Sequence, residues 1–146
     1  MSVKGEVKNV LGRFPAVAEL DFYVRRRGTP PRGFSLDRLD AALPDWQAQA
    51  TASPYVDQSG KHVFLFATQR YWIEHASLFG LALAGLGHTV DLAYLPYADW
   101  RKPINSFDLQ QHNLYAKRVL AQAEPLLHPF SLLDAPENDG LPEALE

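Results

Sequence analysis

The segment His62-Val63-Phe64-Leu65-Phe66-Ala67 restricts this chain more than any other feature. It contains no Asp, Glu, Lys, Arg, Gly or Pro and sits between Gly60-Lys61 and Thr68-Gln69. A short continuous apolar run of this kind reads as a strand buried on both faces of a parallel sheet. Residues 72–86 follow with Ile73, Ala76, Leu78, Phe79, Leu81, Ala82, Leu83 and Leu86, a composition that favours helix. Gly87 stands where a left-handed helix C-cap belongs, so Gly87→Val should cost more than Gly85→Ala inside the helix. Thr89–Leu95 then reads as a second strand, stopped by Pro96. Asn105 or Ser106 can cap a further helix reaching about Ala123, and Phe130-Ser131-Leu132-Leu133 is a third strand. Strand–helix–strand–helix–strand is half of a doubly wound sheet with right-handed crossovers. The expected fold is α/β, a short parallel Rossmann-like three-layer half-sheet with a helical N-terminal extension.

The extension spans residues 1–60. Residues 1–13 are polar, and Pro15 suits the first position of a helix carrying Val17, Leu20, Phe22 and Val24. Gly28-Thr29-Pro30-Pro31-Arg32-Gly33 breaks it. Ser35 is a good N-cap for a short helix with Leu36, Leu39 and Leu43 on one face, and Pro44 should end it. Residues 44–60 read as an irregular connection. The α/β unit occupies 61–134, and 135–146 form an acidic, turn-rich tail. In the core of the unit, Val63, Leu65, Leu81, Leu86, Val90 and Leu92 should be largely buried.

Composition narrows the function. With 146 residues and 47% hydrophobic content the chain can bury a single core, and with no cysteine it has no disulfide, thiolate metal site or cysteine nucleophile. Its formal net charge is −3, although residues 1–38 hold eight Lys/Arg against four Asp/Glu. The run Arg25-Arg26-Arg27 suits a solvated helix end, where the dipole favours cations. The acidic remainder argues against nucleic-acid binding. No signal peptide and no apolar run of membrane-spanning length is present, so a cytoplasmic location without a membrane span is expected.

Open parallel sheets bind ligands at the carboxyl ends of their strands. Here the first such junction supplies Gln69, Arg70, Tyr71, Trp72, Glu74 and His75. Arg70 offers a planar fork for a phosphate or carboxylate, and the aromatics offer stacking surfaces. Alternatively, Tyr71 and Trp72 serve only to fasten the extension to the sheet. Neither Gly-x-Gly-x-x-Gly nor Gly-x-x-x-x-Gly-Lys-Ser/Thr occurs, which counts against a dinucleotide cofactor or a P-loop. His62, His88, His112 and His128 are scattered without metal-ligand spacing, and Ser77, Ser106 and Ser131 lack a nucleophile elbow. No metal, cofactor or catalytic residue is assigned.

Glu74-His75, the leucines at 78, 81, 83 and 86, and Gly87-His88-Thr89-Val90 resemble the first helix and second strand of the N-terminal domain of GT-B-type glycosyltransferases. The likeness covers residues 61–95. Two departures mark it: Tyr71-Trp72-Ile73 replaces the glycine pair expected before Glu74, and His75 replaces an arginine. The resemblance implies a Rossmann-like domain or fragment that contributes the acceptor side of an inter-domain cleft. Its ligand would be a sugar or phosphorylated small molecule, its partner a C-terminal domain or a second copy, and this chain alone would be inactive. The competing readings are a non-catalytic protein-binding or assembly domain and a different small-molecule transferase.

Overall fold

In a computed structural model the described residues are 8, 10, 11, 14–53 and 60–134. Most of the polar N-terminus and the acidic tail at 135–146 lie outside them. Helix α1, Pro15–Leu20, continues into a π-helical turn, Asp21–Arg25. Helix α2 spans Asp37–Thr51. Strand β1 (His62–Thr68), helix α3 (Arg70–Gly85), strand β2 (Thr89–Leu95), helix α4 (Ser106–Leu120) with a 3₁₀ turn (Ala121–Ala123), and strand β3 (His128–Ser131) complete the order. The three strands are parallel and lie in the order β1-β2-β3, with Leu65 beside Leu92 and Leu92 beside Pro129. This is a Rossmann-like α/β fold with a helical N-terminal extension.

Both crossover helices cover one sheet face. Gly80 of α3 sits so close to the sheet that a Cβ there would meet Leu127, Leu65 and Val90. Tyr115, Ala116, Val119 and Leu120 of α4 share a core with Leu92 and Tyr94. The third layer lies outside these helices rather than across the sheet. Ala18 and Phe22 of the first helical segment are buried, and the Ala18 carbonyl accepts from Gln111 Nε2 of α4 at 2.5 Å. Helix α2 packs along α3 and reaches the 3₁₀ turn, where Gln47 donates to the Gln122 carbonyl.

The opposite sheet face carries Phe64, Phe66 and Phe130, all exposed, and the salt bridge between His62 and Asp91 at 2.6 Å. The expectation that β1 is buried on both faces therefore does not hold. Among the described residues it is an edge strand, with Val63 and Leu65 half-buried beneath the helices. Leu81, Val90 and Leu92 are fully buried as expected, but Leu86 is 42% exposed because it lies on the outer side of α3.

Two helix boundaries follow different rules from those the sequence suggested. Pro44 does not end α2, which runs seven residues further to Thr51. Proline removes one backbone donor from a helix interior. Contacts beyond it outweigh that loss: Gln47 bonds Gln122, and Ala50 abuts Gly85. The N-cap is Leu36, while Ser35 Oγ accepts from the Asp37 amide at 3.2 Å from one position earlier. Asn105 caps α4 through its side chain, accepting from the Asp108 amide at 2.9 Å. Strand β3 begins at His128, two residues earlier than expected.

Gly87 closes α3 as expected, with φ of 93°. Its amide donates to the Ala84 carbonyl and that of His88 to Leu83, the paired bonds of a Schellman motif. His88 then receives the Lys61 amide on Nδ1 at 3.0 Å, tying the starts of β1 and β2 together. Gly85 is not the tolerant position that a helix interior suggests, since a Cβ there would lie 2.9 Å from the Ala50 Cα. Leu92→Ala should cost about 2–5 kcal/mol, and Gly85→Ala and Gly87→Val should both lower the melting temperature clearly. An unchanged melting temperature for Gly85→Ala would show that α2 does not approach α3 at this point.

Candidate functional site

A cleft of about 710 Å³ opens where the carboxyl ends of β1 and β2 meet the N-terminal extension. Ligand pockets commonly measure about 300–1,000 Å³. Three segments build the walls: Pro31-Arg32-Gly33 with Arg26, then Gln69 and Tyr71, then the loop from Ala98 to Asn105. Lys8, Asp108 and His112 complete it.

The cleft has five cationic side chains, and they are not equivalent. Lys8 bridges Asp108 at 2.7 Å, Lys102 bridges Asp99 at 3.3 Å, and Arg26 bridges Asp21 at 3.1 Å. Arg32 and Arg101 form no salt bridge among the described residues, although the Arg101 charge also helps to hold Asp99 down. Arg101 lies over the Trp100 ring, 5.2 Å from its centroid. Burial alone would raise the Asp108 carboxyl, but hydrogen bonds from Lys8 and Asn105 hold it below its ordinary value. The backbone amide of Arg101, followed by Lys102, holds Asp99 down as well. Both carboxylates are thus committed to neighbouring cations, and the guanidinium groups of Arg32 and Arg101 remain for a ligand.

His112 is 3% exposed and stacks on Phe34 at 4.7 Å between centroids. Its Nδ1 lies 3.0 Å from the Pro96 carbonyl. A carbonyl can only accept, so Nδ1 carries the proton and Nε2 is bare in the neutral ring. Burial, above all, pushes the imidazole pKa below its ordinary value. Nothing local singles out His112, because its partners Phe34 and Pro96 are distant along the chain.

Gln69 connects β1 to α3 in a conformation that favours glycine, with φ of 70° and ψ of 152°. Its amide donates to the Leu95 carbonyl at 3.2 Å and its carbonyl accepts from Ile73 at 3.0 Å, so both neighbouring elements hold it there. Strained residues of this kind concentrate at ligand sites.

The six residues expected at this junction divide into three groups. Gln69 and Tyr71 line the cleft. Arg70, Tyr71 and Glu74 face an adjoining hollow of about 310 Å³ shared with Ser35, Asp37 and Arg38 at the start of α2. Trp72 and His75 lie on the outer flank of α3, 6.5 Å apart between ring centroids. The alternative in which the extension buries the aromatics does not hold, because Tyr71 and Trp72 are 55% and 66% exposed. The Arg70 guanidinium lies over the Tyr71 ring at 4.2 Å. Of the arginine run, Arg25 is exposed as expected of a solvated helix end, whereas Arg26 enters the cleft.

No protein-family model, curated protein or solved structure matches this chain. Among the described residues, no helix is long and apolar enough to cross a membrane.

Gln69→Gly should raise stability by about 0.5–2 kcal/mol, the released strain less the greater freedom of unfolded glycine. Gln69→Ala should give no such gain, and equal melting temperatures for the two variants would remove the strain. The lowered His112 pKa has a definite sign. The unfolded chain binds the proton more readily, so stability is full above the ordinary histidine value near 6.5 and falls as pH drops towards the folded value. Melting curves between pH 7.5 and 5.5 should show a decline that His112→Asn reduces. A slope unaffected by that substitution would contradict the assignment.

Proposed function

We propose that this domain is the small-molecule-binding half of an α/β transferase, glycosyltransferase-like, and that the cleft receives the anionic part of a phosphorylated sugar or similar acceptor. One observation carries the reading: Arg32 and Arg101, which form no salt bridge among the described residues, meet Tyr71 and Trp100 at the carboxyl ends of parallel strands. Guanidinium forks suit phosphate oxygens, and aromatic rings beside them suit the apolar face of a sugar. Open α/β sheets bind their ligands at this end.

The likeness of residues 61–95 to GT-B N-terminal domains supports the same assignment, with the reacting partner supplied from across the cleft. In this reading Gln69, Arg70, Tyr71 and Glu74 border the ligand, while His112 contributes a neutral imidazole rather than a charge. Trp72 and His75 lie on the other flank of α3 and belong to a different surface. That surface favours the second reading, an assembly domain, because Trp72, Phe79 and Leu86 are exposed along it.

Calorimetric titration with glucose 6-phosphate, using glucose as the uncharged control, tests the proposal. Binding of the phosphate ester but not the free sugar is expected, with Arg32→Ala and Arg101→Ala each weakening it roughly tenfold or more, as loss of a charged hydrogen bond implies. Absence of binding at millimolar concentration, or affinities indifferent to both substitutions, would overturn it.

A further inference from the structure

Strand β1 has one hydrogen-bonded neighbour, β2, and its other edge meets no strand among the described residues. Natural edge strands are protected by charge, proline, bulges or a covering segment. The strand His62–Thr68 contains no lysine, acidic residue or proline. Its sequence is also nearly symmetric about Leu65, with Phe64 and Phe66 on either side, then Val63 and Ala67.

A second apolar surface lies on α3, on the other side of the sheet from Phe64 and Phe66. Trp72, Phe79 and Leu86 are 66%, 57% and 42% exposed and recur at helical spacing with His75 between the first two. Gly85 marks the side of α3 that meets α2, and α2 also touches the 3₁₀ turn towards β3. At 100° per residue Trp72 points roughly 140° away from Gly85. The stripe therefore occupies the flank of α3 on the β1 side.

We infer that two copies of this chain associate about a two-fold axis at Leu65, joining their β1 edges antiparallel and packing α3 against α3. Antiparallel pairing centred on Leu65 sets Phe64 opposite the partner's Phe66 and Val63 opposite the partner's Ala67. Aromatic residues facing each other across strands are a favoured pair. The two-fold stands perpendicular to the sheet, so both helical layers fall on the same side. Trp72 of one copy then approaches the Leu86 end of the other helix, with Phe79 near the axis. An isologous contact requires this kind of self-complementarity.

The exposed apolar side chains divide between two surfaces. Phe64 and Phe66 stand on the open sheet face and Trp72, Phe79 and Leu86 along α3, and together they expose on the order of 600 Å² per copy. Edge pairing brings each of these surfaces beside the same surface of the partner, towards the roughly 800 Å² that a stable interface takes from each copy. The stripe and the strand carry no Asp, Glu, Lys or Arg, as befits an interface core. The inference does not rest on the ligand reading of the cleft, which Trp72, Phe79 and Leu86 do not line.

Sedimentation equilibrium of the full chain, together with site-directed cross-linking, tests it. The chain has no cysteine, so Leu65→Cys places one thiol per copy at the axis. Residues facing each other across antiparallel strands fall within disulfide range. Expected are a concentration-dependent dimer, rapid formation of a disulfide-linked dimer by Leu65→Cys on mild oxidation but not by Thr51→Cys, and at least a hundredfold weaker association for Trp72→Glu/Phe79→Glu. Those two positions are exposed, and circular dichroism should show the double variant folded; if it unfolds, Phe64→Lys provides the same comparison at the strand. A chain monomeric at 100 µM, or a dimer indifferent to these charges and not cross-linked through Cys at 65, would overturn the inference. Association with another protein by β1 in place of a second copy would overturn it as well.

Discussion

Three parallel strands in sequential order, joined by crossovers of one hand, must send both connecting helices to the same side of the sheet. The rest of the structure depends on this restriction. It gathers Ile73, Leu81, Tyr115, Val119 and Leu120 over Val90, Leu92 and Tyr94, forming a single core on one side of β2. The N-terminal extension covers the outside of that helical layer, where Gly85 lets Ala50 approach and Gln111 binds the Ala18 carbonyl. On the other side of the sheet Phe64 and Phe130 reach towards each other over Ala93, 6.1 Å apart between ring centroids. Both remain substantially exposed, Phe64 the more so.

The same geometry separates two surfaces of different chemistry. At the carboxyl ends of β1 and β2, the extension brings Arg26 and Arg32 to face Arg101 and Lys102 across a cleft. Asp21, Asp99 and Asp108 neutralise part of that charge and leave the guanidinium groups of Arg32 and Arg101 without a salt bridge among the described residues. Along β1 and the outer flank of α3 there is almost no charge, and aromatic area dominates. An anionic ligand suits the first surface and a second copy suits the other. Helix α3 belongs to both, because Tyr71 turns towards the cleft while Trp72 turns away from it.

Local signals were legible in the sequence where neighbours along the chain decide the outcome. The limits of β2, the Asn105 cap and the left-handed Gly87 all follow from propensity and turn chemistry, and all are found. Features set by distant contacts were not legible. Pro44 reads as a stop, yet the contacts of Gln47 and Ala50 carry α2 past it. An apolar run reads as a doubly covered strand, yet the apolar content of β1 reflects an edge rather than a centre. The junction after β1 reads as a ligand-facing segment, and of its six residues Gln69 and Tyr71 line the cleft. Arg32, Trp100, Arg101 and His112 were not identified, because they come from three separate loops and helices that only the fold brings together.

The account places a second copy on the open edge of β1, and residue-resolved amide hydrogen exchange measures that edge directly. Amides within a parallel strand alternate between its two sides, so half of those in His62–Thr68 bond to β2 and half point outwards. At concentrations where the chain is dimeric, the outward amides should be protected almost as well as those facing β2, and that protection should fall on dilution while β2 stays unchanged. Outward amides that exchange at solvent-exposed rates at every concentration would contradict the account and leave β1 an unpaired edge.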